Sequence, residues 1–425
     1  MFTYDVDPQA VVIERAAQFA ACGIPKATIA RARDAIDDMW GTGETGWTPV
    51  WGREAERAAA RGRLVQASLY WGAARFPTLA TPARIQAHER QLECYLAASH
   101  RFPVRFHRQV DDVPTPLHLY RRRVAPRPGI LVLSGGADTW KMDLHRLAVT
   151  TALATGLLVV TLDMPGTGES RIPLAPDSDR VYAEVIAPLR ARYGFPVGIM
   201  AFSFSGLWAA RLALLGEVDA AVAIGAPTGA ADEPVDVLKL PYGMAGIIGN
   251  ALGMTALAEP EAVPDLVARF SLRELLDRPG GSPLLAVNGE RDQYIPLGDL
   301  TGLAGRPDTT VWALRGATHC APERFPLLAP ALWPWLMARL LPGAQRSPLK
   351  AVGTLPVRPW LRPVTTASFW RSISKVQGHG TSTSPVPCIP PGEVLTSRRR
   401  ASGRRTRSRR SRPAWWERRC RPTRW

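Results

Sequence analysis

From about residue 118 onward, short runs of consecutive apolar residues alternate with longer stretches of helical periodicity. The strand-like runs fall near 118–124, 129–134, 157–163, 197–202, 219–225, 283–288 and 309–314, and they lack the in–out alternation of a half-exposed strand. Uninterrupted apolar strands are those buried on both faces. Strands that alternate with helices build a mostly parallel, doubly wound sheet. The pattern therefore predicts an α/β fold over residues 116–345, closed by an amphipathic helix from Phe325 to Leu341. One interval departs from it. Residues 229–280 are too long for a bare loop and show helical pattern over Leu238 to Leu257 and Pro264 to Leu276. An insertion at this point is expected to lie over the C-terminal edge of the sheet as a helical cap.

Residues 1–115 show helical periodicity and no strand pattern, and are expected to form an N-terminal helical domain. The helices predicted there run Val11 to Cys22, Pro25 to Trp40, Val50 to Ala74 and Pro82 to Ser99, with breaks at Gly23-Ile24-Pro25 and Phe76-Pro77.

Charge changes the picture only at the end of the chain. Residues 346–425 hold 17 Arg, two Lys and two Glu, a net of +17, whereas the whole chain carries +16; residues 1–345 are thus close to neutral at −1. The Pro-, Ser- and Arg-rich tail has no periodicity and is expected to be disordered. It reads either as a binder of nucleic-acid phosphate or another anionic surface, or as non-native coding such as a shifted frame. Five cysteines at 22, 94, 320, 388 and 420 show no metal-ligand spacing, which points to a reduced, cytoplasmic setting without a bound metal. No run is long and apolar enough to span a membrane, and Asp5 and Asp7 near the N-terminus speak against a signal peptide.

The chemistry concentrates at three strand ends. Ala201-Phe202-Ser203-Phe204-Ser205-Gly206 follows the apolar run Val197 to Met200 and precedes the helical run Leu207 to Leu215. A serine at a sharp strand-to-helix turn is the setting of a nucleophile elbow, in which the neighbours two positions away are small. Ala201 and Ser205 stand there in place of the usual glycines; Ser205 itself has bulky Leu207 at +2 and fits the elbow less well. Asp292 sits just past the strand-like run 283–288, and His319 lies on the loop after 309–314. Of the seven histidines only His319 and His379 follow Asp292, and His379 has no strand before it. The order Ser203, Asp292, His319 is that of the α/β-hydrolase fold and of neither the chymotrypsin nor the subtilisin fold. In such a set the imidazole takes the serine proton while the carboxylate fixes its tautomer. Each residue alone has an ordinary structural explanation: a packed turn, a turn former, a loop histidine. Cys320 reads as a buried neighbour of His319.

The run Gly129 to Gly136 is a buried strand ending in two glycines. Acyl transfer needs preorganised N–H donors for an oxyanion; the candidates are the backbone N–H groups of Phe204 and Gly136. No Lys-Ser/Thr pair follows these glycines, so a phosphate loop is rejected, and Arg171 interrupts the G-x-G-x-x-G needed for a dinucleotide site, so no cofactor is expected.

Five segments taken together resemble the FrsA-like α/β-hydrolases: L-V-L-S-G-G-A-D-T-W-K, V-T-L-D-M-P-G-T-G-E-S, A-F-S-F-S-G, V-N-G-E-R-D-Q-Y-I-P and G-A-T-H. Tyr70 to Pro77 and the helical segment ahead of it resemble that family's N-terminal domain. The resemblance spans about residues 10–342 and leaves out the tail. It implies a cofactor-free serine hydrolase of small-molecule acyl or ketone substrates, acting on esters or on activated, β-diketone-like C–C bonds, as in polyketide and pigment pathways. It also implies Ser203 as nucleophile, Asp292 as acid and His319 as base, and is compatible with a homodimer. Ala201 in a glycine position is this chain's departure. Acyl transfer of the thioesterase or polyketide-release type, and a non-catalytic binding role for the Arg-rich tail, stand as the alternatives.

Overall fold

The computed structural model describes residues 1–231 and 235–341. The expectations for the Arg-rich tail over 346–425 lie outside the described residues. The chain begins with five helices: α1 (Pro8–Cys22), α2 (Lys26–Ala35), α3 (Trp47–Ala60), α4 (Leu64–Arg75) and α5 (Pro82–Ala98). Asp7 caps α1 by accepting from the Gln9 N–H at 2.8 Å, and Pro8 opens it, so the helix starts where its first unpaired N–H groups find an acceptor. The single helix predicted over Val50 to Ala74 is broken at Arg61-Gly62-Arg63 into α3 and α4. The one predicted over Pro25 to Trp40 stops at Ala35, after which Asp38 bridges to Gly46. The block has its own aromatic core: Trp47 and Trp51 are fully buried, Trp47 stacks on Phe76 at 5.6 Å, and Phe19 meets Trp51 edge-on at the same distance.

The remainder is an eight-stranded sheet flanked on both faces. Its elements in chain order are β1 (Arg105–Gln109), β2 (Leu117–Arg121), β3 (Ile130–Ser134), α6 (His145–Thr155), β4 (Leu158–Leu162), α7 (Asp179–Tyr193), β5 (Val197–Phe202), α8 (Phe204–Leu215) and β6 (Ala220–Ile224). Then follow α9 (Met244–Ala251), α10 (Val263–Ala268), α11 (Arg273–Leu276), β7 (Leu284–Gly289), α12 (Leu297–Thr301), β8 (Thr309–Leu314) and α13 (Phe325–Leu340). The spatial order is β1-β2-β4-β3-β5-β6-β7-β8. The β1–β2 and β2–β4 pairs are antiparallel and every later pair is parallel. This is the α/β-hydrolase fold.

β1 is the strand that sequence pattern misses. Its residues Arg-Phe-His-Arg-Gln are mostly polar, and at this edge of the sheet none of them is buried. The central strands show the opposite behaviour. All five residues of β3 are buried, and they divide by parity: Ile130 and Val132 pack with Tyr182, Val185 and Trp208 of α7 and α8, while Leu131 and Leu133 pack with Ala148, Leu332 and Leu336 of α6 and α13. Side chains alternate across a strand, so one continuous apolar run feeds two cores. Each such side chain contributes about 1.5–3 kcal/mol on burial.

The segment between β6 and β7 forms a cap of short helices over the C-terminal edge. The helix predicted over Leu238 to Leu257 is reduced to a 3-10 turn at Val237–Lys239 and the eight-residue α9, and Pro264 to Leu276 divides into α10 and α11. The N-terminal segment fastens α9. Phe2 N–H donates to Asn250 Oδ1 at 2.7 Å and Asn250 Nδ2 donates back to the Phe2 carbonyl at 2.9 Å. The Tyr4 ring lies so close to Gly246 that a Cβ there would stand 2.1 Å from it. Among the described residues no helix is long and apolar enough to cross a membrane.

Candidate active site

Ser203 stands between the end of β5 and the start of α8 with φ 53° and ψ −130°. A non-glycine residue in this region costs on the order of 1–3 kcal/mol and persists only where its surroundings hold it. Here the Ser203 N–H donates to the Ile224 carbonyl at 2.7 Å, and the Gly206 N–H donates to the Ser203 carbonyl at 2.8 Å. Ala201, in the glycine position, is fully buried, as is Ser205. The Ser205 hydroxyl sits inside the fold, 3.1 Å from Ser134 Oγ and 3.0 Å from Tyr182 OH, which accounts for it as a structural group.

The three residues singled out by order and spacing meet at one point. His319 Nε2 is 2.9 Å from Ser203 Oγ, and His319 Nδ1 is 2.6 Å from Asp292 Oδ2. Asp292 is held from every side. Its Oδ1 accepts from the N–H groups of Tyr294 at 2.7 Å and Ile295 at 3.0 Å, and its Oδ2 accepts from Asn288 Nδ2 at 2.7 Å. Burial raises the Asp292 pKa, but His319 and these donors outweigh it and bring it below the usual carboxylate value. Burial likewise opposes the charged form of His319, yet Cys320 and then Asp292 hold its pKa well above the ordinary imidazole value.

Asn288 and Tyr294 are the local partners that motif reading passed over; Cys320, expected as a buried neighbour of His319, stands beside it half-buried. Asn288 Oδ1 accepts from the Cys320 N–H at 3.2 Å, so this one amide ties the acid to the histidine loop. The Tyr294 ring stands edge-on to the imidazole with centroids 5.1 Å apart. Cys320 is half-buried, its Sγ 3.4 Å from both His319 Nε2 and the Ile224 carbonyl. A polar residue ending an apolar strand, as Asn288 does, was the available signal.

Gly136 crosses directly over the serine. A Cβ added there would lie 2.6 Å from Ser203 Cβ and 3.1 Å from its Oγ, so only glycine lets the two backbones approach this closely. Phe204 is the first residue of α8, and its N–H is among the donors that a helix start leaves without an intrahelical acceptor. The loop carrying Gly136 is anchored deep in the molecule by Lys141, whose side chain is fully buried. Lys141 Nζ lies 2.5 Å from Asp163 Oδ2 and 2.8 Å from Glu169 Oε2, and the Lys141 N–H donates to Asp163 Oδ1 at 2.7 Å. Burial works to raise the Asp163 pKa, and Lys141 more than offsets it.

Ser203 and His319 open onto a cavity of about 1320 Å³ between the sheet edge and the cap. Apolar side chains from the cap, among them Met244, Ile248, Leu252 and Phe270, form its roof, and Arg211 of α8 lies on its wall. The space exceeds the usual small-molecule pocket.

Comparison with known proteins bears on the family and the fold. Residues 44–305 match the family described as esterase FrsA-like. Esterase FrsA of Vibrio cholerae serotype O1 is 28% identical over 292 residues, covering 62% of this chain and 69% of its own. Among solved structures, wild-type AbyA5 superposes with a TM-score of 0.62 at 22% identity, covering 80% of this chain and 98% of its own. A 2,6-dihydroxy-pseudo-oxynicotine hydrolase superposes with a TM-score of 0.60 at 21% identity, covering 76% and 95%. These two structures share the α/β-hydrolase fold described above.

Proposed function

This chain belongs to the FrsA-like esterase family and is a hydrolase of the α/β type, and from that premise we propose that it works through an acyl-enzyme formed on Ser203. The observation that carries the reading is the unbroken line from Asp292 Oδ2 through the His319 ring to Ser203 Oγ, at 2.6 and 2.9 Å, opening onto the cavity. In this reading Ser203 Oγ attacks a carbonyl carbon while His319 Nε2 takes its proton. Asp292 keeps the Nδ1–H pointed at itself and stabilises the imidazolium. The N–H groups of Phe204 and Gly136 receive the oxyanion. His319 then gives its proton to the leaving group, and water, activated by the same imidazole, releases the acyl group.

The substrate we infer is a bulky, largely apolar acyl compound or ketone, from the volume of the cavity and the cap side chains over it. The same residues serve an ester, whose leaving group is an alkoxide, and an activated C–C bond such as a β-diketone, whose leaving group is an enolate. In both, the bond from the carbonyl carbon breaks and one proton goes to the departing fragment. Rates on p-nitrophenyl esters of rising acyl length and on aryl β-diketones separate the two, measured for wild type and Ser203→Ala. Turnover of either class that is lost in the variant supports the proposal. Turnover that persists in the variant sinks it.

A further inference from the structure

Helix α1 reaches the active site from the other end of the chain. Its residues Glu14, Arg15 and Gln18 face two loops at the sheet edge: the loop after Gly136 and the loop after Asp292. Arg15 is 4% exposed. Its Nη2 lies 2.9 Å from Asp138 Oδ2 and 3.4 Å from Tyr294 OH, its Nε lies 2.7 Å from Glu14 Oε2, and its Nη1 donates to Gln18 Oε1 at 2.9 Å. Glu14 Oε1 accepts from Tyr294 OH at 2.9 Å and from Gln293 Nε2 at 2.8 Å. Gln18 Nε2 donates to Thr139 Oγ1, which in turn donates to Asp138 Oδ1 at 3.0 Å.

Both loops bear on the reacting atoms. Asp138 and Thr139 follow Gly136 within three residues, and the Thr139 carbonyl is packed against Gly135 so tightly that a Cβ there would stand 1.8 Å from it. The Tyr294 N–H holds Asp292, and the Tyr294 ring abuts His319. Side chains of α1 contact both loops: Arg15 reaches Asp138 and Tyr294, Glu14 reaches Gln293 and Tyr294, and Gln18 reaches Thr139. A charge buried as deeply as that of Arg15 persists only when partners on all sides compensate its lost hydration, and these partners come from three separate segments.

We propose that Arg15 and Glu14 are positioning residues that set the spacing between the oxyanion loop and the Asp292–His319 pair. This rests on the serine mechanism proposed above. It assigns to the N-terminal helices a part in the chemistry in addition to packing: without α1 the donors and the base remain present, but not in register. A displacement of about 1 Å costs on the order of 100-fold in rate.

The experiment uses the full chain and compares Arg15→Met, Arg15→Lys and Tyr294→Phe with wild type on one p-nitrophenyl ester. For Arg15→Met we expect kcat to fall about 10-fold to 100-fold with KM within about two-fold, and near-UV circular dichroism like wild type. Arg15→Lys, which keeps the charge, is expected to recover part of kcat, and Tyr294→Phe, which removes only the hydroxyl, to lose part of it. A folded Arg15→Met with wild-type kcat overturns the inference, as does a rise in KM at unchanged kcat. If Arg15→Met does not fold, Arg15→Lys and Tyr294→Phe decide it by the same split between kcat and KM. Wild-type turnover that does not depend on Ser203 overturns the serine mechanism and this inference together, whereas Ser203-dependent turnover with unaffected variants overturns this inference alone.

Discussion

Ser203 Oγ lies 2.9 Å from His319 Nε2, although 116 residues separate the two in the chain. For that contact to extract a proton the imidazole must be neutral, and Cys320 and Asp292 hold its pKa well above the ordinary value against the effect of burial. Activity should therefore rise with pH through a limb displaced to the alkaline side of about 6.5. Asp292→Asn removes one source of that displacement and the tautomer control, so the limb should move to lower pH and kcat fall by about 10⁴-fold. The pH profile of kcat/KM for both proteins checks this.

Gly136 offers a steric test of the oxyanion assignment. Gly136→Ala places a methyl 2.6 Å from Ser203 Cβ and 3.1 Å from its Oγ, so the oxyanion loop or the serine must shift. We expect kcat to fall by roughly 100-fold to 1000-fold, the range for loss of an oxyanion donor, with the far-UV spectrum unchanged. Wild-type kcat in this variant would remove Gly136 from the site.

The buried Lys141 is predicted to matter for stability first. Lys141→Met leaves Asp163 fully buried beside Glu169 with its cation gone. Breaking one side of a buried pair costs about 3–5 kcal/mol, to be read as a lower urea midpoint at unchanged slope.

Acid should weaken the fold through histidines buried in the neutral state. Burial depresses the pKa of both His88 and His145 to about 4, and depresses that of His118 well below the ordinary value. The unfolded chain binds these protons near pH 6.5, whereas native His88 and His145 do not until about pH 4 and native His118 only well below the ordinary value, so stability is full above 6.5 and declines as pH falls below it. For His88, at 8% exposure, the loss approaches roughly 3 kcal/mol. Melting temperature against pH between 7 and 4 tests the sign, and His88→Gln should flatten the curve.

Fastening of the cap by the N-terminal segment predicts a substrate-size effect. Asn250→Ala abolishes both hydrogen bonds to Phe2, each worth about 1 kcal/mol, and frees the edge of α9 that roofs the cavity. KM for a long-chain ester should rise several-fold while that for an acetate ester changes little, and the segment before α1 should become sensitive to protease.

How much of this was open to sequence reading follows from what each residue touches. β5 and β8 occupy 197–202 and 309–314, the ranges their apolar runs predict, because strands buried on both faces write their environment into consecutive residues. The edge strand β1 has one sheet neighbour and a polar sequence, and its identity as a strand resides in its pairing with β2. Ser203, Asp292 and His319 stood out because each follows a strand in a distinctive order. Glu14 and Arg15 carry no such mark: on α1 they are ordinary charged residues of an amphipathic helix, and their part emerges only when the fold brings Tyr294 to them across 280 residues of chain. Phe2 and Asn250 are likewise joined by topology alone.

The most direct test of the central claim is covalent labelling by a fluorophosphonate, followed by peptide mass mapping, on wild type and Ser203→Ala. One adduct is expected on Ser203 of the wild type, formed faster as pH rises through the His319 limb, and none in the variant. Folded wild type that takes up no label, or a label found on Ser205 or Cys320, would contradict the claim.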